Sequence, residues 1–140
     1  MGQQARPRCP FCVANGMVKL IAQNDDAYLI AVLRPGTTEV IEHAYFVIPK
    51  EHIESLRDLP QFWMQTLMDL IDQVPESHEN YNISINVGRR AGQRVQHVHF
   101  WVLTRDHEDE TMASFELGMA AIIELLNQMA AAHTLCGSHA

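Results

Sequence analysis

The chain contains no apolar run approaching the ~20 residues that a membrane-spanning helix needs, so a membrane is not an expected partner. Its first eight residues, Met1-Gly2-Gln3-Gln4-Ala5-Arg6-Pro7-Arg8, carry basic side chains with no apolar stretch behind them, unlike a secretory leader. Arg6 stands where an N-myristoylation signal has Ser or Thr. These absences predict a cytoplasmic protein. Cysteine is scarce: three in 140 residues, as a close pair in Cys9-Pro10-Phe11-Cys12 and a distant Cys136. In a cytoplasmic chain that does not make a disulfide framework. Positive charge is short as well, with 10 Lys and Arg against 17 Asp and Glu and a formal net charge of −7. Such a chain repels a phosphate polymer, which disfavours nucleic acid as a partner. A small phosphorylated ligand is compatible if local donors outweigh the overall field, and Arg89, Arg90 and Arg94 sit close together to supply them. Repeats and low-complexity segments are missing too.

What is present suits a single domain spanning residues 1–140. The hydrophobic content is 47%, and a chain of this length can bury roughly 70% of its unfolded surface. Residues 1–8 read as a loose arm. Strands are predicted over Met17–Gln23, Ala27–Leu33 and Ala44–Ile48, with a turn at Asn24-Asp25-Asp26 and a break at Arg34-Pro35-Gly36-Thr37. A helix is predicted over residues 60–74, where Phe62, Trp63, Leu67, Leu70, Ile71 and Val74 recur at helical spacing between Pro60 and Pro75. Tyr81–Val87 alternates, and a linker from Gly88 to Arg94 leads into Val95–Leu103, so the two strands form an antiparallel hairpin. A long amphipathic helix is expected over Glu110–His133, followed by a tail with Cys136 and His139. The class is α+β, a sheet with helices packed on it.

The chemistry concentrates in Gln96-His97-Val98-His99-Phe100-Trp101-Val102-Leu103. In a strand His97 and His99 project to one face and work as a pair, with Val98, Phe100 and Val102 opposite them against a helix. Like-with-like pairing puts Asn82, Ser84 and Asn86 on the histidine face. An isolated pair of this kind is more often a tolerated polar feature of a sheet; the surrounding residues favour function.

Those residues, Asn86-Val87-Gly88-Arg89-Arg90-Ala91-Gly92-Gln93-Arg94-Val95-Gln96-His97-Val98-His99, closely resemble the signature of the histidine triad (HIT) superfamily. Phe46-Val47-Ile48-Pro49-Lys50-Glu51-His52-Ile53 is similar to its second signature, an apolar strand ending in Pro-Lys-x-His. Cys9-Pro10-Phe11-Cys12 with Asp25-Asp26 matches the opening of many members. The resemblance covers residues 9 to about 104 and leaves the C-terminal helix outside the family core. It implies an antiparallel sheet with helices packed on it, often paired as a homodimer. It also implies a hydrolase or transferase of nucleoside phosphoramidates, dinucleoside polyphosphates or nucleotidyl sugars. By position, His99 is the residue that attacks the α-phosphorus, and Asn86, Gly92, Gln93 and Arg94 surround the phosphate. A zinc site of the kind some members carry would be Cys9, Cys12, His52 and His97, a closed and therefore structural set. No organic cofactor is implied.

Four positions depart from the pattern. Trp101 replaces the third histidine; indole donates one hydrogen bond but cannot shuttle a proton. Arg94 stands where Ser or Thr is usual, and Ala44 where a supporting histidine often lies, with His43 beside it. Arg34 falls where an Asp usually binds ribose hydroxyls. The added positive charge would suit a phosphate-rich or carboxylate ligand. Three alternatives stay open: a binding module that has lost turnover, a catalytic metal chelated by His97 and His99, and His43 in place of His52 as a zinc ligand. Without zinc, the cysteine pair could be small apolar residues or a redox pair.

Overall fold

The computed structural model describes residues 5–106 apart from Met17 and Pro35. The helix expected over Glu110–His133 and the tail with Cys136 and His139 lie outside the described residues.

Five strands form one antiparallel sheet: β1 (Lys19–Gln23), β2 (Ala27–Leu33), β3 (Val40–Pro49), β4 (Tyr81–Ile85) and β5 (Phe100–Thr104), in the order β1-β2-β3-β5-β4. One α-helix, α1 (Trp63–Ile71), packs on it. No helix among the described residues is long and apolar enough to cross a membrane. The strand β2 runs as its apolar pattern predicts, since the sheet covers it on both edges and both of its faces are buried. The strand β3 is longer than expected. Its first residues are carried past a bulge in which the partners of β2 jump from Tyr45 to Val40 between Ala31 and Leu33. Within that bulge His43 holds a left-handed backbone, φ 66°. The helix is shorter than its pattern: Phe62 becomes the exposed N-cap, and Val74 is buried beyond the C-terminus.

Alternation along the strands divides the interior into two layers. On one side Ala27, Leu29, Tyr45, Val47, Phe100 and Val102 meet Trp63, Leu67, Leu70 and Ile71 of α1. On the other, Ile30, Val32, Phe46, Ile48, Trp101 and Leu103 meet Cys9, Phe11 and Cys12. The N-terminal segment is therefore a second layer over the sheet.

The hairpin of β4 and β5 pairs Ser84 with Trp101 and Asn82 with Leu103. Those polar residues thus share the face of Trp101, as the alternation predicts. A correction applies to β5 itself, which starts at Phe100. Its last pairings are Val47 with Phe100 and Ile85 with Phe100. The preceding residues alternate in burial but have no strand beside them; Val98 instead donates its N–H to the Ile53 carbonyl at 2.7 Å. His97 and His99 therefore sit on a docked loop entering the sheet rather than within a strand.

Candidate functional site

Two loops and the N-terminal segment converge where that docked loop meets the sheet. The segment around the cysteines is tightly folded. Cys9 donates its N–H to the Arg6 carbonyl at 3.2 Å and Cys12 to the Cys9 carbonyl at 3.3 Å, while the Asn15 amide bridges the Arg6 and Cys9 carbonyls at 2.8 and 2.9 Å. A short 3-10 turn, Val13–Asn15, ends at Gly16 with φ 72°, a conformation that favours glycine. This turns both thiols inward.

Cys9, Cys12, His52 and His97 are all buried, and their ligand atoms lie within 4.8 Å of one another. Cys9 Sγ is 3.6 Å from His97 Nδ1, Cys12 Sγ is 3.6 Å from the same nitrogen, and Cys12 Sγ is 3.2 Å from His52 Nδ1. A tetrahedron with Zn–S about 2.3 Å and Zn–N about 2.0–2.1 Å has S···N edges of about 3.6 Å, so the spacing fits such an ion. The outer nitrogens fit as well. His97 Nε2 donates to the Pro49 carbonyl at 2.9 Å and His52 Nε2 to the Glu54 carboxylate at 3.1 Å. With their protons on Nε2, both rings turn the Nδ1 lone pair toward the sulfurs, the arrangement that partners of ligating histidines usually enforce. Burial pushes His97 down to about 4, and burial also lowers His52 against the opposing pull of Glu54. These four residues form a possible metal-binding group. In that possible group His97 is joined by the two cysteines and His52; His99 is not part of it.

The alternative ligand, His43, lies elsewhere. It bonds Glu76 at 2.7 Å, and the same carboxylate accepts from Thr104 Oγ1 at 2.8 Å and from the Tyr45 hydroxyl. Partial burial opposes ionisation of Glu76, but the bonds from Tyr45, His43 and Thr104 outweigh it and hold its carboxyl below the usual range. Burial, reinforced by Glu76, pushes the Tyr45 phenol up.

His99 is oriented by its neighbour. Its Nδ1 donates to the His97 carbonyl at 2.8 Å, leaving Nε2 with a lone pair and no partner. Burial pushes the ring down to about 4, so it is neutral at pH 7. Attack on phosphorus would call for an accessible ring, but His99 is only 2% exposed. Phe11 and Phe46 meet it edge to face, with centroids at 4.8 and 5.2 Å. The cover comes from Phe11, which sits between the two cysteines; its position inside Cys-x-x-Cys was the one available signal for this.

The turn before the histidines is engaged with itself. Gly92 N–H donates to the Arg89 carbonyl and Gln93 N–H to the Gly88 carbonyl, both at 3.1 Å. The Gln93 side chain accepts from Gly88 N–H and donates to the Val95 carbonyl. Asn86 Nδ2 donates to Ala91 at 2.7 Å, and Arg94 Nη1 to Arg89 at 3.0 Å. Trp101 is fully buried against Phe46, centroids 4.4 Å apart, and its indole N–H has no partner.

Phe11 and Phe46 also line a cleft of about 940 Å³, with Lys19, Arg34, Thr37 and Thr38 among the other lining residues. Arg34 thus joins the histidine side of the molecule, separated from His99 by the two rings. Lys19 and Thr38 had no motif to announce them.

The model of the HIT domain matches residues 17–108. An adenosine 5'-monophosphoramidase from Schizosaccharomyces pombe is 33% identical over 104 residues, covering 72% of this chain and 77% of that protein. Among solved structures, a histidine triad protein from Clostridium difficile has a TM-score of 0.58 at 23% identity, covering 75% of this chain and 96% of that one. A zinc-bound histidine triad family protein from Mycobacterium smegmatis has a TM-score of 0.54 at 22% identity, covering 94% and 97%. At these identities the two structures speak for the fold.

Proposed function

The chain belongs to the HIT domain family, and from that premise we propose that it is a nucleotide hydrolase or nucleotidyltransferase working through His99. The substrate is a nucleoside phosphate ester, anhydride or phosphoramidate. The observation that carries this reading is the state of the His99 ring: Nδ1–H tied to the His97 carbonyl, Nε2 carrying an unpartnered lone pair. That is the tautomer a nucleophile needs. The Nε2 lone pair forms a bond to the α-phosphorus, and the bond to the leaving group breaks with its electron pair. Water or another acceptor then attacks the phosphorus and releases the imidazole.

Access requires one of the covering rings to yield. Phe46 is held in β3 between β2 and β5, so the ring to yield is that of Phe11, by rotation of its side chain while the cysteines on either side hold its backbone. Gly92, Gln93 and Asn86 act by shaping the turn before the histidines, and Arg94 by bracing it. Cys9, Cys12, His52 and His97 would hold zinc as a structural group that pins the N-terminal layer and supplies no step of the reaction. Homodimer formation is part of the same reading; it is supported by the edge position of β4 and by Ile83 and Val87, exposed at 42% and 48%.

The test is mass spectrometry of the intact protein after brief mixing with adenine and guanine phosphoramidates and dinucleoside polyphosphates. A nucleotidyl adduct lost in His99→Ala is expected; no adduct with any substrate refutes the assignment. One observation favours a second reading, a nucleotide- or phosphometabolite-binding module: the closure of Nε2 behind two rings. Calorimetry showing binding with no product would select it.

A further inference from the structure

The cover over His99 is a short piece of chain bonded to itself. Its backbone N–H groups at Cys9, Cys12, Asn15 and Gly16 donate to the carbonyls of Arg6, Cys9, Cys12 and Val13. The Asn15 side chain also returns to Arg6 and Cys9. Its polar contacts with the histidines run through two sulfurs, Cys9 to His97, and Cys12 to both His97 and His52. Its outer side faces solvent, where Arg6, Pro7, Arg8 and Gly16 are exposed. Phe11 sits on the turn between those sulfurs, with its ring 4.8 Å from that of His99 and 5.0 Å from that of Phe46. The sulfurs that hold the cover and the ring that does the covering thus belong to one four-residue unit, Cys9-Pro10-Phe11-Cys12.

The two thiols are free and placed to join. They lie within 4.8 Å of each other, and Cys12 N–H closes a turn on the Cys9 carbonyl at 3.3 Å. The α-carbons at the ends of such a turn lie within about 7 Å, which overlaps the span of about 4.4–6.8 Å that a disulfide bridges. A disulfide has no thiolate to offer. Once joined, the sulfurs no longer engage Nδ1 of His52 and His97, and those histidines lose the partners with which they would hold an ion. In the closed state both cysteines are buried, at 0% and 2% exposure. An oxidant therefore meets them only when the cover opens locally. Joining the sulfurs at that moment removes the contacts that draw the cover shut.

We propose that Cys9 and Cys12 form a redox latch on this cover: hydrogen peroxide joins them while it is open, and the disulfide keeps Phe11 off His99 until it is reduced. One thiol attacks a peroxide oxygen, the O–O bond breaks and a water leaves. The second thiol attacks the resulting sulfenic acid, the S–S bond forms and a second water leaves. The two sulfurs lose two electrons, the peroxide gains them, and the thiol protons end in the waters. The latch concerns exposure of the ring and uses no nucleotide chemistry, so it and the function proposed above fail separately.

The experiment uses the full chain with zinc supplied and with Cys136→Ser, which removes the third cysteine. After peroxide, peptide mapping should find Cys9 joined to Cys12. Carbethoxylation of His99 should quicken about tenfold or more on the same time course, as local opening becomes easier. Dithiothreitol with zinc should reverse both changes. A Cys9→Ser, Cys12→Ser double variant should show no quickening with peroxide. Thiols that stay reduced, a sulfur that gains oxygen without the disulfide, or a disulfide that leaves the His99 rate unchanged each overturn the proposal.

Discussion

Stripping metal from the cysteine–histidine cluster should lower the melting temperature by roughly 15 °C while leaving a cooperative transition. The magnitude follows from linkage. An ion present at about a thousand times its dissociation constant stabilises the folded chain by about 4 kcal/mol. For a chain between small and mid-sized domains, each kcal/mol shifts the midpoint by about 4 °C. The fold should survive, because the helix-side layer of Leu67, Leu70, Ile71, Val47 and Val102 does not touch the cluster. Calorimetric scans with and without a chelator measure the shift, and elemental analysis should give one zinc per chain. Cobalt substitution should bring thiolate charge-transfer bands. Cys12→Ser and His52→Ala should lose the ion, whereas His43→Ala, whose ring is bonded to Glu76, should keep it. An unchanged melting temperature together with no bound metal, or loss of the ion in His43→Ala, would refute the assignment.

Three further outcomes are expected. Glu76→Gln should destabilise by about 1–3 kcal/mol in urea at pH 7, because Tyr45, His43 and Thr104 lose a charged acceptor. Since the Glu76 carboxyl is held low, the wild-type advantage should be complete above its ordinary value of 4.5 and should vanish as pH falls below it through the folded value; a difference that persists in strong acid contradicts this. Phe11→Ala should speed carbethoxylation of His99, followed by peptide mapping, since Phe11 covers the ring; an unchanged rate means another group covers it. Trp101 cannot release its indole proton, so amine leaving groups should turn over more slowly than phosphate ones. Trp101→His, if folded by circular dichroism, should narrow that gap by up to about 10²-fold; a gap that is absent in the unaltered protein would remove the argument.

The sequence was most legible where a local pattern and its partner coincide. Ala27–Leu33 is apolar throughout and has a strand on either side of it in the sheet, so its run and its ends agree with the structure. The family motifs singled out Cys9, Cys12, His52 and His97, which the fold does bring together. Val95–His99 misled because alternation reports which face a side chain takes and carries no information on whether a strand lies alongside. Accessibility of His99 was equally illegible: the ring that covers it, Phe11, arrives from the other end of the chain. The Glu76 cluster had no signature, since its partners come from β3 and β5 and meet only after the sheet forms. Helix ends shifted because a turn after Pro60 precedes α1, and there Trp63 N–H bonds the Pro60 carbonyl.

One contact spans nearly the whole domain: Cys9 and His97 are separated by 88 residues. During synthesis the two thiols leave the ribosome long before their imidazole partner has been made. Until then they are bare sulfhydryls, open to oxidation or to capture by a stray ion. The same residue that completes the set also lends its carbonyl to His99. A nascent chain therefore gains its oriented imidazole only after the thiols that pack beside it have long been made.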